Sequence, residues 1–175
     1  SDDDGETWQE SPNFSSMPFS CSISGLEETG LIELRPGLIM AYSRTDLCMQ
    51  FATYSHDDGI SWTPVEPLRF FTSAVSPMKI QRLTDNRLIS FWNPTPMYTC
   101  RDCTWDTARS PFAYAFSTDN GNTWLNPTIF ENDPNSGYSY PAVYCDDGFI
   151  LVAYCAGSKE DGSNLNRLRI RKFIL

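Results

Sequence analysis

Apolar residues in this chain fall in short blocks or alternate with polar ones; nowhere do they recur every three or four positions over three turns. That pattern predicts strands rather than helices. Between residues 30 and 65 it predicts strands over Gly30–Leu34, Leu38–Ser43, Met49–Tyr54 and Trp62–Val65. The middle of the chain adds Met78–Leu83, Leu88–Trp92, Phe112–Phe116 and Trp124–Phe130, and the tail adds Tyr140–Tyr144, Phe149–Tyr154 and Leu168–Leu175. The breaks at Arg35-Pro36-Gly37, Thr84-Asp85-Asn86 and Asp146-Asp147-Gly148 are built from turn formers. The fold class is all-β, with antiparallel hairpins following one another along the chain.

A repeat sets the architecture. Ser1-Asp2-Asp3-Asp4-Gly5-Glu6-Thr7-Trp8, Ser55-His56-Asp57-Asp58-Gly59-Ile60-Ser61-Trp62 and Ser117-Thr118-Asp119-Asn120-Gly121-Asn122-Thr123-Trp124 share the pattern S-x-D-x-G-x-[ST]-W without gaps. Their starts fall roughly 60 residues apart, the length of one four-stranded propeller blade with its loops. Folding alone explains the motif. The Asp accepts backbone N–H groups across a turn, the Gly supplies positive φ, and the Trp folds back onto the blade. The box aspartates therefore read as scaffold, and the absence of a distal Glu argues against an EF-hand calcium loop. His56 occupies a variable box position and receives no role. The count is two full blades, most of a third, and the last strand of a preceding one. About three blades cannot close a ring, so the pattern implies blades before Ser1 or a second chain that completes it.

Composition narrows the partners. Of the 175 residues 41% are hydrophobic, which favours a folded core over disorder, and the net charge is −9. So acidic a chain is a poor match for nucleic acid or an anionic membrane surface. No apolar stretch approaches the length of a membrane span. Six cysteines are present, and Cys100 and Cys103 form a lone C-x-x-C. Without two further ligands nearby, these two read as thiols or a local loop disulfide rather than a metal site. No cofactor is expected, and the oligomeric state is left open.

Several residues follow one another in a recognisable order. Glu28 precedes the apolar runs Leu31–Leu34 and Leu38–Tyr42, which flank a Gly turn. Arg44 follows, about a dozen residues before the second box. Arg109-Ser110-Pro111-Phe112 precedes the third box, and Gly137-Tyr138-Ser139-Tyr140-Pro141-Ala142-Val143 closes the set. With the boxes, this order resembles the bacterial sialidase (neuraminidase) superfamily, the Asp-box or BNR-repeat proteins, and the resemblance runs nearly from end to end.

It implies that residues 1–175 are the C-terminal part of a six-bladed sialidase-type propeller whose upstream blades are missing. It implies an exo-α-sialidase-type glycoside hydrolase acting on a sialylated glycan or related acidic sugar; localisation is left open, though a glycan substrate suggests export, to a secreted or periplasmic place. It also implies roles. Arg44 and Arg109 would be two of three arginines gripping the sugar carboxylate. Tyr140 would be the nucleophile, with Tyr138 as runner-up, and Glu28 would activate it. The third Arg and the acid/base Asp would lie in the upstream blades. The pattern departs from that of relatives at Thr29, where they often have Pro, and at Cys48, where Gly is common.

The residue chemistry is consistent with those roles. Guanidinium groups pair with carboxylates through charge-assisted hydrogen bonds. A neutral tyrosine escapes the repulsion that an anionic substrate would exert on a carboxylate nucleophile. Plainer readings stand beside these. Arg44 and Arg109 could be solvated surface residues, and Glu28 an ordinary loop acid. Tyr138 and Tyr140 share parity, so both should point to one strand face, where either could be core. Arg167, Arg169 and Arg171 alternate with Leu168, Ile170 and Lys172 as the solvated face of a strand. Two other functions compete with the enzyme: a non-catalytic carbohydrate-binding propeller and a protein-interaction propeller.

Overall fold

The computed structural model describes residues 1, 3–94 and 109–175. Cys100 and Cys103 lie outside the described residues, which contain eleven strands and no helix. The strands are β1 (Glu27–Arg35), β2 (Leu38–Arg44), β3 (Met49–Ser55), β4 (Glu66–Thr72), β5 (Lys79–Arg82), β6 (Leu88–Trp92), β7 (Phe112–Ser117), β8 (Thr128–Glu131), β9 (Ser139–Asp146), β10 (Phe149–Cys155) and β11 (Leu168–Ile174). They form three antiparallel sheets in chain order, β1-β2-β3-β4, β5-β6-β7-β8 and β9-β10-β11. Strand β5 lies against both β1 and β9, so the first strand of each sheet faces a common axis. These are three successive propeller blades, the last with three strands.

Two hydrophobic layers hold the blades face to face. Between the first and second blades lie Leu34, Met40, Tyr42, Phe71, Ile80, Leu88 and Trp92. Between the second and third lie Phe91, Phe112, Tyr138, Ile150, Val152 and Tyr154. Polar ties cross the first layer: the Ile80 N–H donates to the Tyr42 hydroxyl at 3.0 Å, and Trp92 Nε1 donates to the Thr72 carbonyl at 3.2 Å. The approach at Tyr42 explains the glycine inside β1. A Cβ on Gly30 would come within 2.3 Å of Tyr42 Cζ, and Tyr42 is 1% exposed. Gly30→Ala is therefore expected to cost about 1–3 kcal/mol through overpacking, measured as a lowered urea midpoint at unchanged m-value.

The boxes build the turns between the third and fourth strands of the first two blades. Asp57 Oδ1 accepts the Ser55 hydroxyl and the Ser61 N–H, each at 2.8 Å, while its Oδ2 accepts the Ser61 hydroxyl at 2.5 Å. Asp119 repeats this with Ser117 and Thr123, and Asp3 with Ser1 and Thr7. Hydrogen bonds from Thr7 and Ser1 hold the Asp3 carboxyl down at about 2. Each box places two consecutive residues in the left-handed region: Asp4 and Gly5, Asp58 and Gly59, Asn120 and Gly121. That explains why Asp or Asn precedes the glycine, since these side chains tolerate positive φ better than others.

Four expectations change. The fourth strands begin later than Trp62 and Trp124, at Glu66 and Thr128. The second and third boxes are closed by a backbone bond to the preceding strand, Thr63 N–H to the Tyr54 carbonyl and Leu125 N–H to the Phe116 carbonyl. Pro64 and Pro127 then follow, and neither can donate to a ladder. The last strand of a preceding blade is not formed among the described residues of 1–26. Instead Ser11 and Asn13 donate to carbonyls of the second box, and Phe19 packs edge-on against Phe51. Trp124 does not lie on its own blade alone; it packs against Phe70 and Phe71 of β4, in the blade before. Finally, the β11 arginines are not a free solvated face. Arg169 and Arg171 both reach Glu131 on β8 at 2.8 Å, and Arg167 pairs with Asp161 at 2.7 Å.

Candidate active site

The register separates the boxes from the opposite rim of the sheets. In the β2–β3 ladder Ile39 pairs with Ser55 at the box end and Ser43 with Phe51 at the other. Arg44, one residue beyond Ser43, thus lies about 17 Å from the second box along the strand. The start of β1, the end of β2, the start of β7 and the start of β9 all open onto this far rim.

Two bulges aim the key side chains there. At the start of β1, Glu27 pairs with Arg44 and Gly30 with Tyr42, leaving Glu28 and Thr29 opposite the single residue Ser43. At the start of β9, Ser139 pairs with Cys155 and Ala142 with Ala153, leaving Tyr140 and Pro141 opposite Tyr154. Glu28 and Tyr140 have φ of 50° and 56°. Non-glycine residues in that region cost of order 1–3 kcal/mol each, and persist where the surroundings over-determine them.

The two bulges meet. The Tyr140 hydroxyl donates to Glu28 Oε1 at 2.8 Å, joining the first blade to the third. Glu28 Oε2 stands 3.2 Å from Arg44 Nη1. Glu27 Oε2 receives the other edge of the same guanidinium, Nε at 2.9 Å and Nη2 at 2.8 Å. Arg109 comes from the β6–β7 connection of the second blade. Its guanidinium lies 5.4 Å from the centre of the Tyr140 ring, and donates to Ser139 Oγ at 3.2 Å and to the Val75 carbonyl at 3.3 Å. Both arginines are buried, whereas Tyr140 is 41% exposed. Two buried guanidiniums therefore flank an accessible phenol already bonded to a carboxylate.

Of the five residues singled out from the sequence, four gather here and one does not. Tyr138 is 1% exposed and stacks on Phe112 at 6.3 Å within the core. It precedes β9, and the bulge at Tyr140 breaks the alternation that would have put both tyrosines on one face. Glu27, Ser139 and the Val75 carbonyl went unnoticed in the sequence. Their only signals were the Glu27-Glu28 doublet and the position of Ser139 between two tyrosines. Cys48 has φ of 62°, a conformation that glycine adopts more readily than residues with a Cβ.

A phenol hydrogen-bonded to a carboxylate can pass its proton along that bond. A cation beside the ring favours negative charge building on it. The guanidiniums supply donors for an anion entering from solvent.

A family model described as a BNR repeat-like domain matches residues 1–152. The chain belongs to the BNR repeat-like domain family. The BNR repeat-like chain is also similar in structure to the NanB sialidase of Streptococcus pneumoniae, with TM-score 0.63, 18% identity, and coverage of 97% of this chain and 25% of that one. A second match is the intramolecular trans-sialidase of Ruminococcus gnavus, crystallised with oseltamivir carboxylate, at TM-score 0.65, 17% identity and coverage of 100% and 37%. A third is the Trypanosoma rangeli sialidase in complex with sialic acid, at TM-score 0.61, 12% identity and coverage of 99% and 26%. The BNR repeat-like chain thus has a sialidase-like fold and spans well under half the length of these structures. A search of curated proteins returns no match.

Proposed function

We propose that this BNR repeat-like chain forms the C-terminal part of an exo-α-sialidase-type glycoside hydrolase, which releases terminal sialic acid from glycans with retained configuration. The observation that carries the reading is the Tyr140–Glu28 hydrogen bond flanked by Arg44 and Arg109, four residues from three blades meeting on one rim. Similarity in fold to sialidases supports it.

The sugar presents a carboxylate on its anomeric carbon. Arg44 and Arg109 hold that carboxylate and fix the carbon over the Tyr140 hydroxyl. Tyr140 Oη bonds to the anomeric carbon as the bond to the departing glycan oxygen breaks, and Glu28 Oε1 takes the phenol proton. Water then attacks the same carbon from the vacated side, and gives one proton to the acid that had protonated the departing oxygen. Its oxygen stays with the sugar, the bond to Tyr140 breaks, and Glu28 returns the proton to the phenol.

The remaining parts belong to further blades in this proposal: a third arginine, and an acid that protonates the departing oxygen. The outer face of the last sheet supports such blades, because Leu168, Ile170 and Ile174 are 69%, 61% and 76% exposed and would be covered by a neighbour.

The test is turnover of a fluorogenic sialoside by the complete propeller, with Arg44→Ala beside it. Wild type is expected to release the fluorophore. The variant should lose on the order of 10²–10³-fold in kcat/KM, the scale for removing one charged donor from the reacting anion. Saturable sialoside binding without release would instead make this a carbohydrate-binding propeller. Neither binding nor release would point to a protein-interaction propeller.

A further inference from the structure

We infer that Glu27 is a positioning residue that presents Arg44 to the ligand carboxylate, a role that rests on the reading just given. A single oxygen, Glu27 Oε2, takes both Nε and Nη2 of Arg44, at 2.9 and 2.8 Å. That occupies one whole edge of the guanidinium and fixes its plane. The side chain of Arg44 is only 10% exposed, so water has little access to do the same.

The third nitrogen is different. Nη1 is buried and makes no hydrogen bond among the described residues, although Glu28 Oε2 lies 3.2 Å away. Glu27 thus spends the two inner donors of Arg44 and leaves the Nη1 end for the site. Because that nitrogen is covered, an incoming carboxylate reaches Arg44 end-on only by displacing its neighbours there, Glu28 among them. When it binds there, Glu28 is left to its other partner, the Tyr140 hydroxyl. The backbone arrangement enforces this division, since Glu27 pairs with Arg44 in the ladder and the bulge turns Glu28 the other way.

Two substitutions separate orientation from charge. Glu27→Ala removes the clamp, whereas Glu27→Gln keeps an amide oxygen able to accept Nε and Nη2. In the complete propeller, Glu27→Ala is expected to raise KM for the sialoside about tenfold or more, the scale of a lost hydrogen bond to a charged group. Its kcat should change little, and Glu27→Gln should restore most of the KM. A KM unchanged in Glu27→Ala overturns the proposal, as does an equal rise in both variants.

A second measurement does not depend on turnover. In a ¹⁵N-arginine spectrum, the Arg44 Nε–H should exchange slowly with solvent in wild type and Glu27→Gln, and fast in Glu27→Ala. Equal exchange rates in all three overturn the clamp whatever the enzyme does. Slow exchange lost only in Glu27→Ala, in a protein that turns over no sialoside, would keep the clamp and remove the sialidase reading.

Discussion

Tyr140→Phe is expected to lower kcat for a sialoside by at least about three orders of magnitude in the complete propeller. The substitution deletes one oxygen, and the proposal gives that oxygen the covalent bond to sugar. Losing a nucleophile removes a pathway rather than a contact, and such losses reach about 10⁶-fold where measured in other hydrolases. The ring remains beside Arg109, so the packing there is kept. Stability should hold or fall only slightly, because the strained φ of 56° is unchanged and only an exposed hydrogen bond to Glu28 is lost. The decisive measurement pairs steady-state kinetics with thermal unfolding. Near-normal turnover by a folded Tyr140→Phe protein would rule out the tyrosine as nucleophile and leave the four-residue cluster a binding site.

The second large effect concerns stability at the junction of the second and third blades. Glu131 on β8 is 6% exposed and accepts the Tyr154 hydroxyl, Arg169 Nη1 and Arg171 Nε. Desolvation by burial works against its charge, but the Tyr154 hydroxyl and the two arginines outweigh it and hold the carboxyl below its ordinary 4.5. Burial first, and then the neighbouring carboxylate, push the Tyr154 phenol up. Glu131→Ala leaves a buried hydroxyl and two partly exposed cations without their acceptor. Breaking a buried pair costs roughly 3–5 kcal/mol, and solvent around the arginines places this one near 3 kcal/mol. For a chain of this size the Tm should fall by roughly 6–12 °C.

The sign of the pH dependence follows from the lowered Glu131 carboxyl. A depressed folded-state pKa contributes stability that is complete above the ordinary 4.5, and that drains away as pH falls through the folded value. Wild type should therefore lose stability below about pH 4.5 more steeply than Glu131→Ala. Parallel profiles for the two proteins would show that Glu131 contributes no charge-dependent stability.

How much of this was legible in the sequence depended on what each residue answers to. Strands β2, β6 and β10 answer to burial, and their apolar residues marked them to within a residue or two. The box turns answer to local hydrogen bonding, so the repeated Ser, Asp and Gly were sufficient. β8 was expected too early and β4 was missed, since the expected strand Trp62–Val65 ends before β4 begins; in both places the apolar signal of the Trp precedes prolines that delay pairing. The site was half legible. Glu28, Arg44, Arg109 and Tyr140 were suggested by their order along the chain, but parity gave no choice between Tyr138 and Tyr140. The proposal favours Tyr140 because a bulge brings it to the rim while Tyr138 is buried, and a bulge is a property of two strands together. Glu27 escaped notice because a doublet of acids looks alike from either side until one finds its arginine. The β11 arginines escaped because their partner lies on another blade, at a sequence distance no local pattern spans.

The Tyr140–Glu28 contact joins residues 112 positions apart, with the second blade seated between their own. Neither residue can find the other until both interblade layers have closed. In the proposed mechanism an arc that lacks either layer also lacks this pair, so a chain with one blade displaced should turn over no sialoside.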